Sequence, residues 1–203
     1  MSDGSRTAVG TTRLRTIAAA LELFGARGID AVSLDDIAAV VGVRKQTVLY
    51  WFATKGDLVD AVFADAAARL AVTAEAAIRA APADPLDHVD SVVVAVFRAA
   101  VRTPSILGLI RELNRLPEPR ALHLRRHIQP LVDRAVEYLA AEMDAGRLRR
   151  GDPRLVAVLL AATVTGIATD PEALRAVGWQ PTAAELRRLR TELRAFLRAA
   201  LTP

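Results

Sequence analysis

The run from Ser33 to Leu58, SLDDIAAVVGVRKQTVLYWFATKGDL, constrains this chain more than any other stretch. Ser33 followed by Asp35 and Asp36 marks a helix N-terminus, where a capping hydroxyl and acids meet the positive end of the dipole. An apolar run then ends at Gly42, a residue that tolerates the backbone angles of a tight bend. A second short helix is predicted from about Arg44 to Phe52, bearing Arg44, Lys45, Gln46, Thr47, Tyr50 and Trp51 and no acid. Val48 and Phe52 lie four apart and face inward, packing on Ile37, Phe24 and Leu21. Two short helices joined by a tight turn, about 33–52, must therefore dock on a first helix.

The outer side of the second helix combines cations, an amide and aromatic rings, which suits the major groove of double-stranded DNA. Lysine donates to guanine acceptors and glutamine pairs bidentately with adenine. Total charge does not decide the matter. The chain is +4, and 25 of its 27 basic residues are Arg, yet residues 1–60 hold seven basic and seven acidic side chains. Phosphates respond to the local face, so zero net charge in that half neither supports nor opposes binding.

The rest reads as helix. Val92-Val93-Val94 is the sole β-type run, and it sits inside a helical pattern with Val89, Val93, Val96 and Phe97 on one side. Asp84-Pro85, Asp152-Pro153 and Asp170-Pro171 each place a capping acid before a first-turn proline. Thr54 with Asp57 and Thr182 with Glu185 have capping-box spacing. About nine helices are predicted: 12–27, 34–40, 44–52, 55–80, 86–103, 105–115, 119–145, 153–168 and 182–201, with a short turn at 171–177. Pro130 should kink or break the long seventh helix. The expected organisation is a flexible tail over 1–10, a DNA-binding domain over 11–58 and a second domain over 59–203, fused within the helix that begins near Lys55.

From Arg13 to Val62 the chain resembles the tetracycline-repressor (TetR/AcrR) family of transcription regulators. The resemblance rests on Ile17, Ala20, Leu21 and Phe24, then Gly25-Ala26-Arg27-Gly28, Ile37-Ala38, Gly42-Val43, Thr47-Val48, Trp51-Phe52, Lys55 and Leu58. It implies an all-α fold: a three-helix DNA-binding domain fused to a helical ligand-binding and dimerisation domain. It also implies a DNA contact set of Ser33, Arg44, Lys45, Gln46, Thr47, Tyr50, Trp51 and Lys55. Within that set Lys45 and Gln46 would read bases, while Thr47, Tyr50 and Lys55 would hold phosphate. Trp51 is expected to lie along the sugar-phosphate backbone. Three departures stand out: Arg44 where a capping Ser is usual, Leu49 and Trp51 where Tyr and His are frequent, and Asp35 where some members carry an Arg.

The resemblance further implies a homodimer through the last two long helices, with Leu155, Leu159, Leu186, Leu189, Leu193, Phe196 and Leu197 at the interface. It implies a small-molecule effector enclosed by helices around 86–145, near Phe97, Arg111, Asn114, His127, Tyr138 and Trp179, with Glu112 and His123 as further polar candidates. His123 and His127 share a helix face and could hold a metal only if an acid joined them, and none is adjacent in LHLRRHIQ. Arg147, Arg149 and Arg150 are expected to form a solvated turn.

Other functions fare worse on the same residues. Cysteine is absent and no glycine-rich phosphate loop or His-carboxylate constellation is present, so an enzyme is not expected, nor any cofactor or metal. A partner-binding protein of the same fold would not need Lys45, Gln46 and Lys55 together. The N-terminus lacks an apolar signal core, and Leu155–Val164 is far too short to span a bilayer. No membrane partner and a cytoplasmic location are expected.

Overall fold

The computed structural model describes residues 3–169, 171–180 and 182–203, leaving aside the side chains of 3–10, 100, 101, 167–169 and 171–173. Asp170, expected as a cap, is outside the described residues. Eleven helices are described, with no strand: α1 (Asp3–Arg27), α2 (Leu34–Val41), α3 (Lys45–Trp51), α4 (Lys55–Ala80), α5 (Pro85–Arg102), α6 (Pro104–Arg115), α7 (Glu118–Arg125), α8 (Gln129–Asp144), α9 (Pro153–Thr169), α10 (Pro171–Ala176) and α11 (Ala183–Leu201). The all-α class stands. Helix α1 starts at Asp3, inside the stretch expected to be a tail.

The helix ends follow local chemistry. Asp84 accepts from the backbone N–H of Leu86 at 2.8 Å, and Asp152 from that of Arg154 at 2.8 Å. Thr182 accepts from the N–H of Glu185 at 3.2 Å. Thr54 and Asp57 cap each other reciprocally at the start of α4. The predicted helix 119–145 is two helices, α7 and α8, with Pro130 in the first turn of α8. Proline lacks the N–H that a helix interior needs but fits a first turn, so the chain breaks ahead of it.

The chain forms two compact units. The first comprises Met1–Ala68 and Thr103–His127, so α6 and α7 join the N-terminal helices, where the sequence reading assigns them to the second domain. Its core holds Leu21, Phe24, Ile29, Ile37, Val48, Phe52, Leu58 and Val62, with Leu109 of α6 and Leu124 of α7 among them. Helix α6 meets α1 at very close range because both carry glycine at the crossing. A Cβ on Gly25 would sit 2.3 Å from the carbonyl oxygen of Ser105, and one on Gly108 would sit 2.0 Å from that of Gly25. Below this crossing the Glu112 carboxylate accepts from the N–H of Ile29 at 3.0 Å.

The second unit comprises Arg69–Arg102 and Ile128–Pro203. One cluster joins Val93 of α5, Val164 of α9, and Leu193 and Leu197 of α11. Another joins Leu139 and Met143 of α8 with Leu148 and Leu201. Asp90, buried on α5, accepts from Arg194 at 3.0 Å and Arg198 at 2.7 Å, which ties α5 to α11. Desolvating a lone carboxylate is costly, and two guanidiniums offset that cost. No single described helix is long and apolar enough to cross a membrane.

Candidate nucleic-acid interface and effector region

Helices α2 and α3 are set by a tight αL turn. Gly42 takes φ 76° and ψ 38°, and its N–H bonds to the carbonyls of Ala38 and Ala39. The N–H of Val43 reaches back to Ala38 at 3.0 Å, closing the end of α2. Arg15 of α1 donates to the carbonyl of Val41 at 2.6 Å, satisfying a further orphan acceptor there. Val48 and Phe52 are buried in the same core as Ile37, Phe24 and Leu21, as their spacing predicts. The side of α3 away from that core carries Arg44, Lys45, Gln46, Leu49 and Tyr50, all exposed, with Tyr50 77% accessible.

Arg44 occupies the N-cap of α3 with no side-chain capping bond, so the helix starts uncapped where a serine would have served. In that first turn the N–H of Thr47 bonds to the Arg44 carbonyl at 2.9 Å. Lys45 is held by Asp35 of α2, Nζ to carboxylate oxygen 2.7 Å. The residue that replaces a cation on α2 therefore engages the leading cation of α3. Lys55 begins α4, and its ammonium reaches the carbonyl of Asp30 at 3.4 Å.

Two expected DNA contacts have other work in the structure. The Ser33 hydroxyl is in a capping box, donating to Asp36 at 2.7 Å and accepting from the Asp36 N–H at 3.1 Å. The Ser33 side-chain and backbone hydrogen bonds, aided by the charges of Arg27 and Lys55, hold the Asp36 carboxyl below the usual carboxylate range. Trp51 is half-buried against the core, its ring in an edge contact with Tyr50 at 5.0 Å between centroids.

The expected effector residues are divided between the two units. Arg111, Asn114 and His127 lie in the first unit, whereas Phe97, Tyr138 and Trp179 lie in the second. Asn114 is exposed and accepts from Arg125 at 3.2 Å. His127 bonds to Asp60 of α4 at 2.9 Å. The same carboxylate meets His123 at 3.0 Å and Arg126 at 3.1 Å. The acid missing from the local sequence thus arrives from α4, and an arginine comes with it. Among the described residues no group of three or more His, Asp or Glu is arranged to hold a metal ion. Burial works against the Asp60 charge. The His127 hydrogen bond, with the charges of His127, Arg126 and His123, outweighs it and keeps that carboxyl low.

In the second unit Tyr138 pairs with His88, oxygen to Nδ1 2.9 Å. Burial, with the nearby Glu142 charge, pushes the phenol up to about 12. Trp179 is half-buried, and its indole N–H has no acceptor among the described residues. Two adjoining hollows flank α5. One of about 550 Å³ lies among α4, α5 and α11, and one of about 200 Å³ lies between α5 and α11. Of the six expected effector residues only Phe97 lines either.

Two expected interface residues are also placed differently. Leu193 and Leu197 are 5% and 2% accessible, consumed by α5 and α9 within one chain. By contrast Leu155, Leu159 and Phe196 are 62%, 65% and 61% accessible, and Val158 of α9 joins them. Leu186 and Leu189 are half-buried. Arg147 is paired with Glu142 at 2.5 Å, and the Arg149 N–H caps α11 at the carbonyl of Leu201.

An αL-turned helix pair with a cationic exposed helix defines a DNA-binding regulator of the helix-turn-helix class. The model of bacterial regulatory proteins of the tetR family matches residues 17–62. The model of the AefR-like transcriptional repressor C-terminal domain matches residues 86–199. The chain belongs to the TetR family of transcription regulators. No protein of curated function matches the sequence. Solved structures share the fold. The FadR regulator of Bacillus subtilis, solved with stearoyl-CoA, is 17% identical at TM-score 0.79, covering 92% of this chain and 98% of its own. FadR of Bacillus halodurans is 18% identical at TM-score 0.76, covering 91% and 93%. The ketosteroid regulator KstR2 of Mycobacterium tuberculosis is 20% identical at TM-score 0.69, covering 94% and 95%.

Proposed function

We propose that this chain is a ligand-responsive repressor that binds a pseudo-palindromic operator as a homodimer in the cytoplasm. The observation that carries the reading is the exposed face of α3: Arg44, Lys45 and Gln46 beside an uncapped N-terminus, fixed on a packed core. Lys45 and Gln46 read base edges, while Thr47, Tyr50 and Lys55 grip phosphate. One recognition helix reads too few bases for useful specificity, so two copies set half-sites roughly 34–36 Å apart. The exposed leucines of α9, with Phe196 of α11, supply the apolar face through which two copies join. An effector acts by binding better to the conformation whose recognition helices do not fit that spacing. The FadR regulator solved with stearoyl-CoA and the ketosteroid regulator KstR2, both of like fold, support a small-molecule effector here.

The test is selection of bound fragments from genomic DNA, then titration of the enriched site at several salt concentrations. Enriched palindromes and a steep loss of affinity with salt are expected. Lys45→Ala should relax preference at one base of each half-site, and Lys55→Ala should weaken all sequences alike. Equal behaviour of the two variants would contradict the assigned roles.

A further inference from the structure

The two hollows beside α5 share Val94 and Arg98, so they form one continuous trough along α5 and α11. Its larger end is walled by Val72, Thr73, Ala76, Ala77 and Ala80 of α4 and by Ser91 and Ala95 of α5. Apart from the hydroxyls of Thr73 and Ser91 these side chains are apolar, and their small size is what leaves the space. That end is an open hollow of about 550 Å³. The smaller end is different in kind: Arg98 and Arg102 of α5 and Arg187 and Arg190 of α11 line it together with Phe97 and Leu186.

None of these four guanidiniums has an ion-pair or hydrogen-bond partner among the described residues. The one acid on the trough, Asp90, is already taken by Arg194 and Arg198. Four like charges converging without counter-ions repel one another, and an anion with several oxygens relieves that repulsion. Guanidiniums match phosphate and carboxylate geometry with paired donors. The trough therefore has a mainly apolar end and an anion-seeking end.

We infer that this trough binds a single-chain amphiphile with a phosphate-bearing head, and that such a molecule is the effector. The apolar chain lies between α4 and α5, and the head lies among Arg98, Arg102, Arg187 and Arg190. The inference rests on the ligand-responsive reading above and supplies its chemical class. A steroid-like neutral ligand would leave the arginines unanswered, and free phosphate would leave the apolar end empty.

The experiment is calorimetric titration of the full chain with decyl phosphate below its aggregation concentration, with 1-decanol and inorganic phosphate as separate arms. Decyl phosphate is expected to bind at least tenfold more tightly than either fragment. Arg98→Glu with Arg190→Glu should lose at least tenfold for decyl phosphate and leave decanol unchanged. Ala77→Trp, which fills the apolar end, should abolish decyl phosphate binding, with circular dichroism confirming the helical fold of each variant. Equal binding of decanol and decyl phosphate, or full affinity in the arginine variant, would overturn the inference. Saturating decyl phosphate should also lower affinity for the selected operator at least tenfold; unchanged operator affinity would overturn the effector role. A chain that bound no operator would sink the regulator reading, and the calorimetry would still decide the ligand.

Discussion

Gly108→Ala is expected to be among the most damaging single-methyl changes in the chain. Ordinary Cβ contacts begin near 3.4 Å, and the new Cβ would stand 2.0 Å from the Gly25 carbonyl oxygen, so α1 and α6 must part by more than an ångström. Both partners are helix backbone, which cannot rotate away as a side chain can. Overpacking a core costs about 1–3 kcal/mol, and with a rigid obstacle the upper part of that range applies. Alanine recovers about 0.5–1 kcal/mol through its better helix propensity. The net expectation is a loss of about 2 kcal/mol, or roughly 4–8 °C in melting temperature for a chain of this size. Urea unfolding followed by circular dichroism measures it.

Two companions sharpen that test. Gly42→Ala has nothing within 4 Å of the new Cβ, so it should cost only the left-handed penalty at φ 76°, about 1–2 kcal/mol. The Gly25→Ala, Gly108→Ala double variant should cost less than the sum of its parts, because the first methyl already opens the crossing for the second. A Gly108→Ala protein within 0.5 kcal/mol of the parent would refute the close approach, and with it the assignment of α6 to the DNA-binding unit.

Asp35→Asn frees Lys45 and removes a negative charge facing the phosphates. It should cost under about 1 kcal/mol of stability, as exposed pairs do, and raise operator affinity severalfold with a steeper salt dependence; weaker binding would instead make Asp35 a base contact. Leu159→Glu should turn the sedimenting species into a monomer of 21.8 kDa with its helical content intact, and an unchanged dimer would move the interface off α9. Asp60 has a lowered folded pKa, so its stabilising contribution is present above its unfolded value near 3.8 and lost as pH falls through the folded one. The stability gap between parent and Asp60→Asn should therefore be present at pH 6 and close toward pH 3; a constant gap would contradict the assignment. Tyr138 has a raised folded pKa, so its contribution holds below about pH 10 and is lost as pH rises through about 12. Absorbance at 295 nm should show one phenol ionising near 12, a step absent in Tyr138→Phe.

The helix-turn-helix is legible in the sequence because its determinants are local. Ser33 caps a helix three residues from its acid, Gly42 turns the chain at one position, and Val48 and Phe52 report their burial by spacing alone. What the sequence hides is the partner at long range. Gly25 and Gly108 each look like tolerated helical glycines until they are opposed, and Asp60 meets His123 and His127 only through the fold. The heptad-like leucines of α11 mark burial but not whose surface buries them, which is why Leu193 and Leu197 belong to the core of one chain. The four trough arginines look like ordinary solvated charges, and only their convergence on one hollow sets them apart.

The return of α6 and α7 to the N-terminal helices has a practical consequence for anyone building hybrid regulators. A cassette cut at residue 58 or 68 would carry α1 without the surface that covers Gly25 and without Glu112 to satisfy the Ile29 amide. Leu109 and Leu124, members of the same core, would be missing as well. The compact unit that holds the helix-turn-helix is discontinuous in sequence, so grafting that whole unit onto a foreign sensor means transplanting two segments and rebuilding the joints at 102–103 and 127–128.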